Sequence, residues 1–307
     1  MIRGLYILIF FSSILISDYL GGYQGSGYRY GTNARNISLG NSVLCDESLG
    51  FKAFLNPALL SKAEDLEVGS SYFLMSLDRY VQTFSITRKL SSFGGASISY
   101  FESGVSNIKG KNFNNESTGL FSSKDSYLML SFGVKTFDGF LIGFNLKSLY
   151  SSIDNQNASG FSGDVSFIYE FSDDISSAIM IENIFSSNIW SNANSSTNLP
   201  QINSLGLRWN INENIKVHSL IENMNPNDVN IYRLKNGLEW NLADYSLRLG
   251  LIQNSGQFSD QIFDARILMG LGLDIKLLES RKIRLDYCID FGKENEGVSN
   301  LISVSIK

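Results

Sequence analysis

Proline is nearly missing from this chain: three residues in 307. Charged side chains are also scarce, at 18%. Histidine occurs once, as His218, and cysteine twice, as Cys45 and Cys288. Each shortage excludes something. Proline cannot donate to a strand ladder, so its scarcity admits long paired strands throughout the chain. One histidine and two distant cysteines leave no CxxC, no HExxH and no serine–histidine–carboxylate set. No Gly-rich phosphate loop occurs either, so the expectation is a non-enzymatic protein without a cofactor. The formal net charge of −5 argues against a nucleic-acid partner, which calls for a basic excess. Beyond the first twenty residues no apolar run reaches the roughly 18 residues that a spanning helix needs.

The first twenty residues read as an export signal: Arg3 supplies the positive start, and Leu5 to Ile16 form an apolar run too short to span a bilayer. Residues 1–20 are therefore expected to be a signal peptide. Export without a spanning helix leaves the periplasm, the outer membrane or the exterior.

From about residue 64 the pattern is strand, turn, strand. Ile283, Leu285, Tyr287, Ile289 and Phe291 alternate with Arg284, Asp286, Cys288 and Asp290. Leu247, Leu249 and Leu251 alternate with Ser246, Arg248 and Gly250. Period 2 gives each strand one apolar and one polar face. Fourteen runs show it: 66–74, 80–89, 93–101, 125–136, 139–150, 160–171, 174–183, 200–211, 214–222, 232–241, 244–253, 264–275, 281–291 and 298–306. Most match the roughly 9–11 residues of a tilted membrane-crossing strand, against about 5–6 in soluble sheets. Tight turns (137–139, 172–173, 212–213, 242–243) alternate with connections read as longer, notably 102–124 and 184–199. Phe93, Phe137, Phe140, Phe171, Trp209, Trp240 and Tyr245 flank the tight turns, where an interfacial girdle belongs. The expected fold is all-β: a transmembrane antiparallel β-barrel of 14 strands over 64–307, in contact with outer-membrane lipid, both termini periplasmic.

Residues 21–63 form a Gly-rich segment too small to fold alone. It is expected to act as an N-terminal hatch or plug, with Asn56-Pro57-Ala58 forcing an extended residue before a helical start. By strand parity the polar lumen face carries Arg208, His218, Glu239, Arg248, Arg266, Arg284 and Asp286. His218, alone of its kind, reads as a hydrogen-bonded lining residue. An oxidising periplasm allows a Cys45–Cys288 bond between hatch and wall, though no spacing favours it over two unpaired thiols. Phe101, Phe113, Leu120 and Phe121 in 102–124, with Phe185, Ile189 and Trp190 in 184–199, could anchor a partner protein.

Ala34-Arg35 through Leu39-Gly40, the acidic Asp46-Glu47, and Asn56-Pro57-Ala58-Leu59-Leu60 resemble the start of the PorV/PorQ family of outer-membrane proteins, relatives of the FadL-type hydrocarbon channels. Further echoes are Ser123-Lys124-Asp125, Leu199-Pro200, Asn236-Gly237-Leu238-Glu239-Trp240 and Leu247-Arg248-Leu249-Gly250, and the length is closer to PorQ-like members. The resemblance implies a docking or attachment component of type IX secretion, with secreted or surface proteins as partners. The alternative it carries is a FadL-like uptake channel that passes hydrophobic small molecules sideways into the membrane.

Overall fold

The computed structural model describes residues 25–191, 196–226, 230–255, 265–278, 281–292 and 297–307. The expected signal peptide, 1–20, lies outside them, as do parts of the connections at 184–199, 223–231, 254–263 and 292–297.

The strands are β1 (Leu66–Leu74), β2 (Arg79–Ser91), β3 (Gly94–Lys111), β4 (Ser117–Phe137), β5 (Phe140–Ile153), β6 (Gln156–Glu170), β7 (Ile175–Trp190), β8 (Ser196–Thr197), β9 (Ile202–Asn210), β10 (Ile215–Met224), β11 (Ile231–Leu242), β12 (Tyr245–Ser255), β13 (Ala265–Leu278), β14 (Arg281–Asp290) and β15 (Ser299–Ile306). Setting aside the two-residue β8, which pairs only with the C-terminal end of β7, fourteen strands run antiparallel. The ladder closes where β1 pairs with β15, so no edge remains open. The structure is a closed 14-stranded β-barrel.

Its packing inverts that of a soluble sandwich. On β2, Thr83, Ser85 and Thr87 are at most 3% exposed, whereas Phe84 and Ile86 are 43% and 42% exposed. On β15, Ser303 and Ser305 are buried while Ile302 and Ile306 face out. Ile98, Leu130, Phe132, Phe144, Leu205, Leu207, Leu249, Ile267 and Leu271 continue the outward apolar surface around the wall. So wide a continuous apolar belt is a lipid-facing feature. Phe93, Phe137, Phe171, Trp240 and Tyr245 are exposed near the tight turns. No helix among the described residues is long and apolar enough to cross a membrane.

Three of the connections expected to be long are shorter than the sequence suggests. The 102–124 stretch is mostly strand: β3 and β4 run on together to Lys111 and from Ser117, with Asn112 accepting at the tip from the Asn114 and Glu116 backbones. β5 and β6 likewise meet at Asp154, and β7 continues to Trp190. Beyond the bilayer both faces of a hairpin meet water. The apolar–polar alternation lapses there although pairing persists. Phe101 is consequently a fully buried lumen residue stacked on Tyr127 at 4.9 Å, not a loop anchor, while Phe113 and Leu120 stand exposed.

Residues 25–63 lie against the inner face of the wall as two short helices, α1 (Ala34–Ser38) and α2 (Lys52–Leu55), and two 3-10 turns, Ser26–Arg29 and Pro57–Lys62. Asn33 caps α1 by accepting from Asn36 N at 2.8 Å, and Gly40, at φ 70°, ends it in the left-handed region that glycine tolerates. Asn56 is extended and its Oδ1 accepts from Ala58 N at 2.9 Å, which starts the second turn at Pro57.

Rows of glycine in neighbouring strands seat these elements. Gly133 pairs with both Gly95 and Gly143, and a Cβ on Gly143 would stand 2.1 Å from Ala58 N. Across the barrel, Gly237 pairs with Gly250, where a Cβ would stand 2.2 Å from Gly40 N. Side chains at these points would push the N-terminal segment off the wall.

Candidate functional site: a charged lumen and a small cavity

α1 carries Arg35 into the middle of the lumen. Its guanidinium donates to Glu239 Oε1 (3.0 Å) and Oε2 (2.6 Å) on β11, to Asp46 Oδ2 (2.7 Å) and to the Glu47 carbonyl (2.7 Å). Glu239 also accepts from Arg248 Nε at 2.7 Å, and Arg248 Nη1 lies 2.8 Å from Asp286 Oδ1. Arg284 continues the chain, 3.1 Å from Asp286 and 3.4 Å from Asp274. Asp46 is further approached by Lys216 at 3.1 Å and Arg208 at 3.6 Å. The wall thus brings Arg208, His218, Glu239, Arg248, Arg284 and Asp286 together around Arg35 and Asp46 of the N-terminal segment. Arg266 stands apart from them and pairs with Asp290 at 2.7 Å.

Burial alone would raise the Asp46 carboxyl, but Arg35, Lys216 and the other cations outweigh it and hold the group well below the ordinary carboxylate range. A carboxylate with a depressed folded value contributes stability at neutral pH that is lost as pH falls through the unfolded value of about 4 and below. Proteolysis of the 25–63 segment should therefore quicken as pH drops from 5 toward 3, with an acid-tolerant protease as probe. Asp46→Asn should flatten that dependence, and an unchanged profile would remove Asp46 from the linkage.

His218 is fully buried, and neither ring nitrogen has a hydrogen-bond partner among the described residues, contrary to the expectation of a hydrogen-bonded lining residue. Its ring lies within 4.8 Å of ligand atoms of Asp46 and Glu239. Those carboxylates are already occupied by Arg35, Arg248 and Lys216. A divalent ion there would sit among guanidinium and ammonium groups, so the cluster has the electrostatics of an ion-pair core rather than of a metal centre.

The disulfide weighed from the sequence is not formed: Cys45 and Cys288 are free thiols. Cys45 packs with Leu44, Ala178 and Met180, whereas Cys288 packs with Leu268 and Leu301 in a separate apolar cluster. Burial pushes the Cys45 thiol up to about 12, which leaves it inert toward disulfide exchange. Asn56, Pro57 and Ala58 are all buried under the segment, with Asn56 Nδ2 donating to the Leu44 carbonyl at 3.0 Å.

Between the segment and the β4–β11 side of the wall lies a cavity of about 140 Å³. Its apolar part is formed by Leu44, Phe54, Tyr127, Met129, Met180 and Leu220, and its charged part by Arg29, Lys147, Asp164, Glu182, Glu222 and Lys235. A smaller space of about 30 Å³ adjoins it, bordered by Leu199 and Pro200, with Tyr28, Arg29, Tyr127, Lys147 and Glu182 common to both. The 3-10 turn Ser26–Arg29 therefore stands between the two. Tyr28 is held there by bonds to Ser151 Oγ (2.7 Å) and the Tyr150 carbonyl (3.1 Å).

The wall beside the charged part is irregular. Between the Gly163–Phe185 and Val165–Ile181 pairs, three residues of β7 (Glu182, Asn183 and Ile184) oppose Asp164 alone. Asn183 takes φ 56° and donates its N–H to Asp164 Oδ1 at 3.1 Å instead of to a strand carbonyl. Such a bulge breaks the ladder, while Glu182 faces the cavity by the same alternation as Ala178 and Met180.

Lys147, Asp164 and Glu182 were missed in the sequence, although they are charges in mid-strand positions, a signal that parity could have raised.

No protein-family model matches the chain, and no curated protein does. Solved structures do match its fold. The toluene transporter TodX of Pseudomonas putida is 14% identical with a TM-score of 0.65, covering 90% of this chain and 97% of its own. The toluene transporter TbuX of Ralstonia pickettii is 10% identical, TM-score 0.64, with coverage of 90% and 97%. A FadL homologue of Pseudomonas aeruginosa is 10% identical, TM-score 0.60, with coverage of 90% and 97%. At these identities the likeness is one of fold, and the fold is that of the FadL-like 14-stranded outer-membrane barrels.

Proposed function

We propose that this protein is a non-enzymatic channel of the outer membrane, with its termini on the periplasmic side and residues 21–63 as its plug, and that it takes up a small molecule with an apolar body. The observation that carries the reading is the cavity of about 140 Å³ between the N-terminal segment and the wall, a mostly polar space with one apolar side formed by Leu44, Phe54, Met129, Met180 and Leu220. A cavity of about that volume holds a one-ring molecule. The named neighbours are transporters of toluene, which agrees in size. The interrupted β6–β7 ladder borders the cavity, which makes it the place where a sideways exit through the wall would be sought. Docking of secreted or surface proteins in type IX secretion rests on the sequence resemblance alone; no cavity, contact or neighbour described above adds to it, so the channel reading takes its place.

Equilibrium binding of toluene and a panel of one-ring solutes to the purified barrel in detergent tests this. Wild-type protein should bind at least one of them, and Leu220→Trp, which fills the cavity, should weaken that binding by about tenfold or more. A barrel that binds none, and that instead co-purifies with secreted proteins in fixed proportion, would overturn the proposal.

A further inference from the structure

His218 is the one histidine of the chain, and the N-terminal segment lies over it. On β10 it pairs with Arg208 of β9 on one side and Gly237 of β11 on the other. The segment fills the space beside it that Gly237 leaves: a Cβ on Gly237 would stand 2.6 Å from the Leu39 carbonyl oxygen and 2.7 Å from Ser42 Oγ. Asp46, from the same segment, brings a carboxylate oxygen within 4.8 Å of a ring nitrogen. The ring is 0% exposed, and both its nitrogens are without a partner among the described residues. A dry, unbonded polar ring costs free energy, and that cost lasts only while the segment is seated.

Two carboxylates converge on the ring, Asp46 of the segment and Glu239 of β11. Asp46 is held by Arg35, Lys216 and Arg208. Glu239 is held by Arg35 and Arg248, with Arg284 at 3.7 Å. Arg248 and Arg284 have a further carboxylate in Asp286, but Arg35, Lys216 and Arg208 share Asp46 and Glu239 among three cations. A proton on the imidazole would add another positive charge to a dry place already rich in them. To be bonded there, it would have to take a carboxylate oxygen from Arg35, the residue that ties the segment to the wall. Once the segment lifts, Arg35 and Asp46 leave with it and His218 meets water, where an imidazole takes up a proton at about pH 6.5. We propose that His218 is an acid trigger for release of the segment: the seated form requires the neutral ring, and the released form accepts the proton. Below about pH 6.5 the released form binds one more proton than the seated form, so release grows as pH falls, by up to about tenfold per pH unit. The Asp46 carboxylate acts only from about pH 5 downward, so the two effects occupy separate ranges. This inference rests on the reading of residues 21–63 as a plug and specifies what opens it.

The test compares wild type with His218→Gln, whose amide is neutral at every pH. Cleavage within 25–63 is followed in the detergent-solubilised barrel with a protease active throughout the range, its rate normalised to an unfolded substrate at each pH. From about pH 7.5 to 5 the wild-type rate should rise about thirtyfold, and that of His218→Gln should stay within about twofold. Pore current in planar bilayers should follow the same two profiles. A second measurement needs no change at His218. Because the chain has one histidine, untagged protein labelled in that residue gives a single imidazole signal by NMR. In wild type that ring should gain its proton only as the segment becomes cleavable, whereas in Gly250→Leu, with the segment displaced, it should titrate near pH 6.5. If wild type and His218→Gln share one profile, or if the wild-type ring takes its proton while the segment stays protected, the trigger falls and the plug reading stands. If the segment is released on acidification and no current follows, the plug reading falls and the trigger with it.

Discussion

Glu239→Ala should loosen the N-terminal segment from the wall and destabilise the barrel by about 3–5 kcal/mol, the usual consequence of leaving buried charge without its partner. Glu239 is 1% exposed and holds two guanidinium groups, Arg35 from the segment and Arg248 from β12. Its removal leaves Arg35 bound only within the segment, to Asp46 and the Glu47 carbonyl, and breaks its hold on the wall. The readouts are the temperature at which the folded form is lost on a detergent gel and the rate of tryptic cleavage within 25–63. The double variant Arg35→Met with Glu239→Met should be milder than the sum of its parts. Arg248 keeps Asp286 at 2.8 Å, and Asp46 keeps Lys216 at 3.1 Å. If Glu239→Ala melts and cleaves like wild type, the ion pairs do not hold the segment, and its placement depends on packing alone.

The packing is tested by a second change of comparable size. Gly250→Leu and Gly143→Leu each drive a side chain into backbone of the segment, against Gly40 in the first case and Ala58 in the second. Neither displaced group is the far end of a flexible side chain, so the segment must move. Overpacking of this kind carries a penalty of about 1–3 kcal/mol or more, and here it falls on the segment because the strands are held by ladders on both sides. In planar bilayers the wild-type barrel should pass little current, while either variant should show an open pore. Asn114→Leu, at the exposed tip of the β3–β4 hairpin, is the control that should leave conductance unchanged. Wild-type currents in both leucine variants would mean that residues 25–63 do not obstruct the lumen.

The sequence and the structure agree best where physics is repetitive. Inside the bilayer each strand must face lipid on one side and the polar lumen on the other, so alternation marks it, as in 247–251 and 283–291. The same rule placed Arg208, Glu239, Arg248 and Asp286 on the lumen face without any knowledge of their partners. It lapsed where the hairpins leave the membrane, which is why β3, β4 and β7 run well beyond the expected ends. The glycine seats were invisible for another reason. A lone glycine in a strand reads as a weak point, and only the register that sets Gly133 between Gly95 and Gly143, or Gly237 beside Gly250, turns separate weak points into one smooth surface. The bulge beside the cavity comes from two extra residues in β7, and no local pattern announces a bulge. His218 shows the limit of parity, which gives its direction while leaving unsaid that Asp46 and Glu239 converge on it.

The seam between β1 and β15 bears on how the molecule is made. Ser71 and Ser303, hydrogen-bonded across it at 2.8 Å, are 232 positions apart in the chain. Every other neighbouring pair of barrel strands is a sequential hairpin and can form as soon as its own residues are present. The seam alone must wait for the last strand, and until then the curled sheet has two bare edges and its lumen charges stand in reach of water and other chains. Closure is therefore the committed step of biogenesis, at which a set of local hairpins becomes one cooperative object. A defect confined to 299–306 should accordingly trap the whole protein at a stage where its edges invite pairing with a second copy or with whatever machinery escorts it into the membrane.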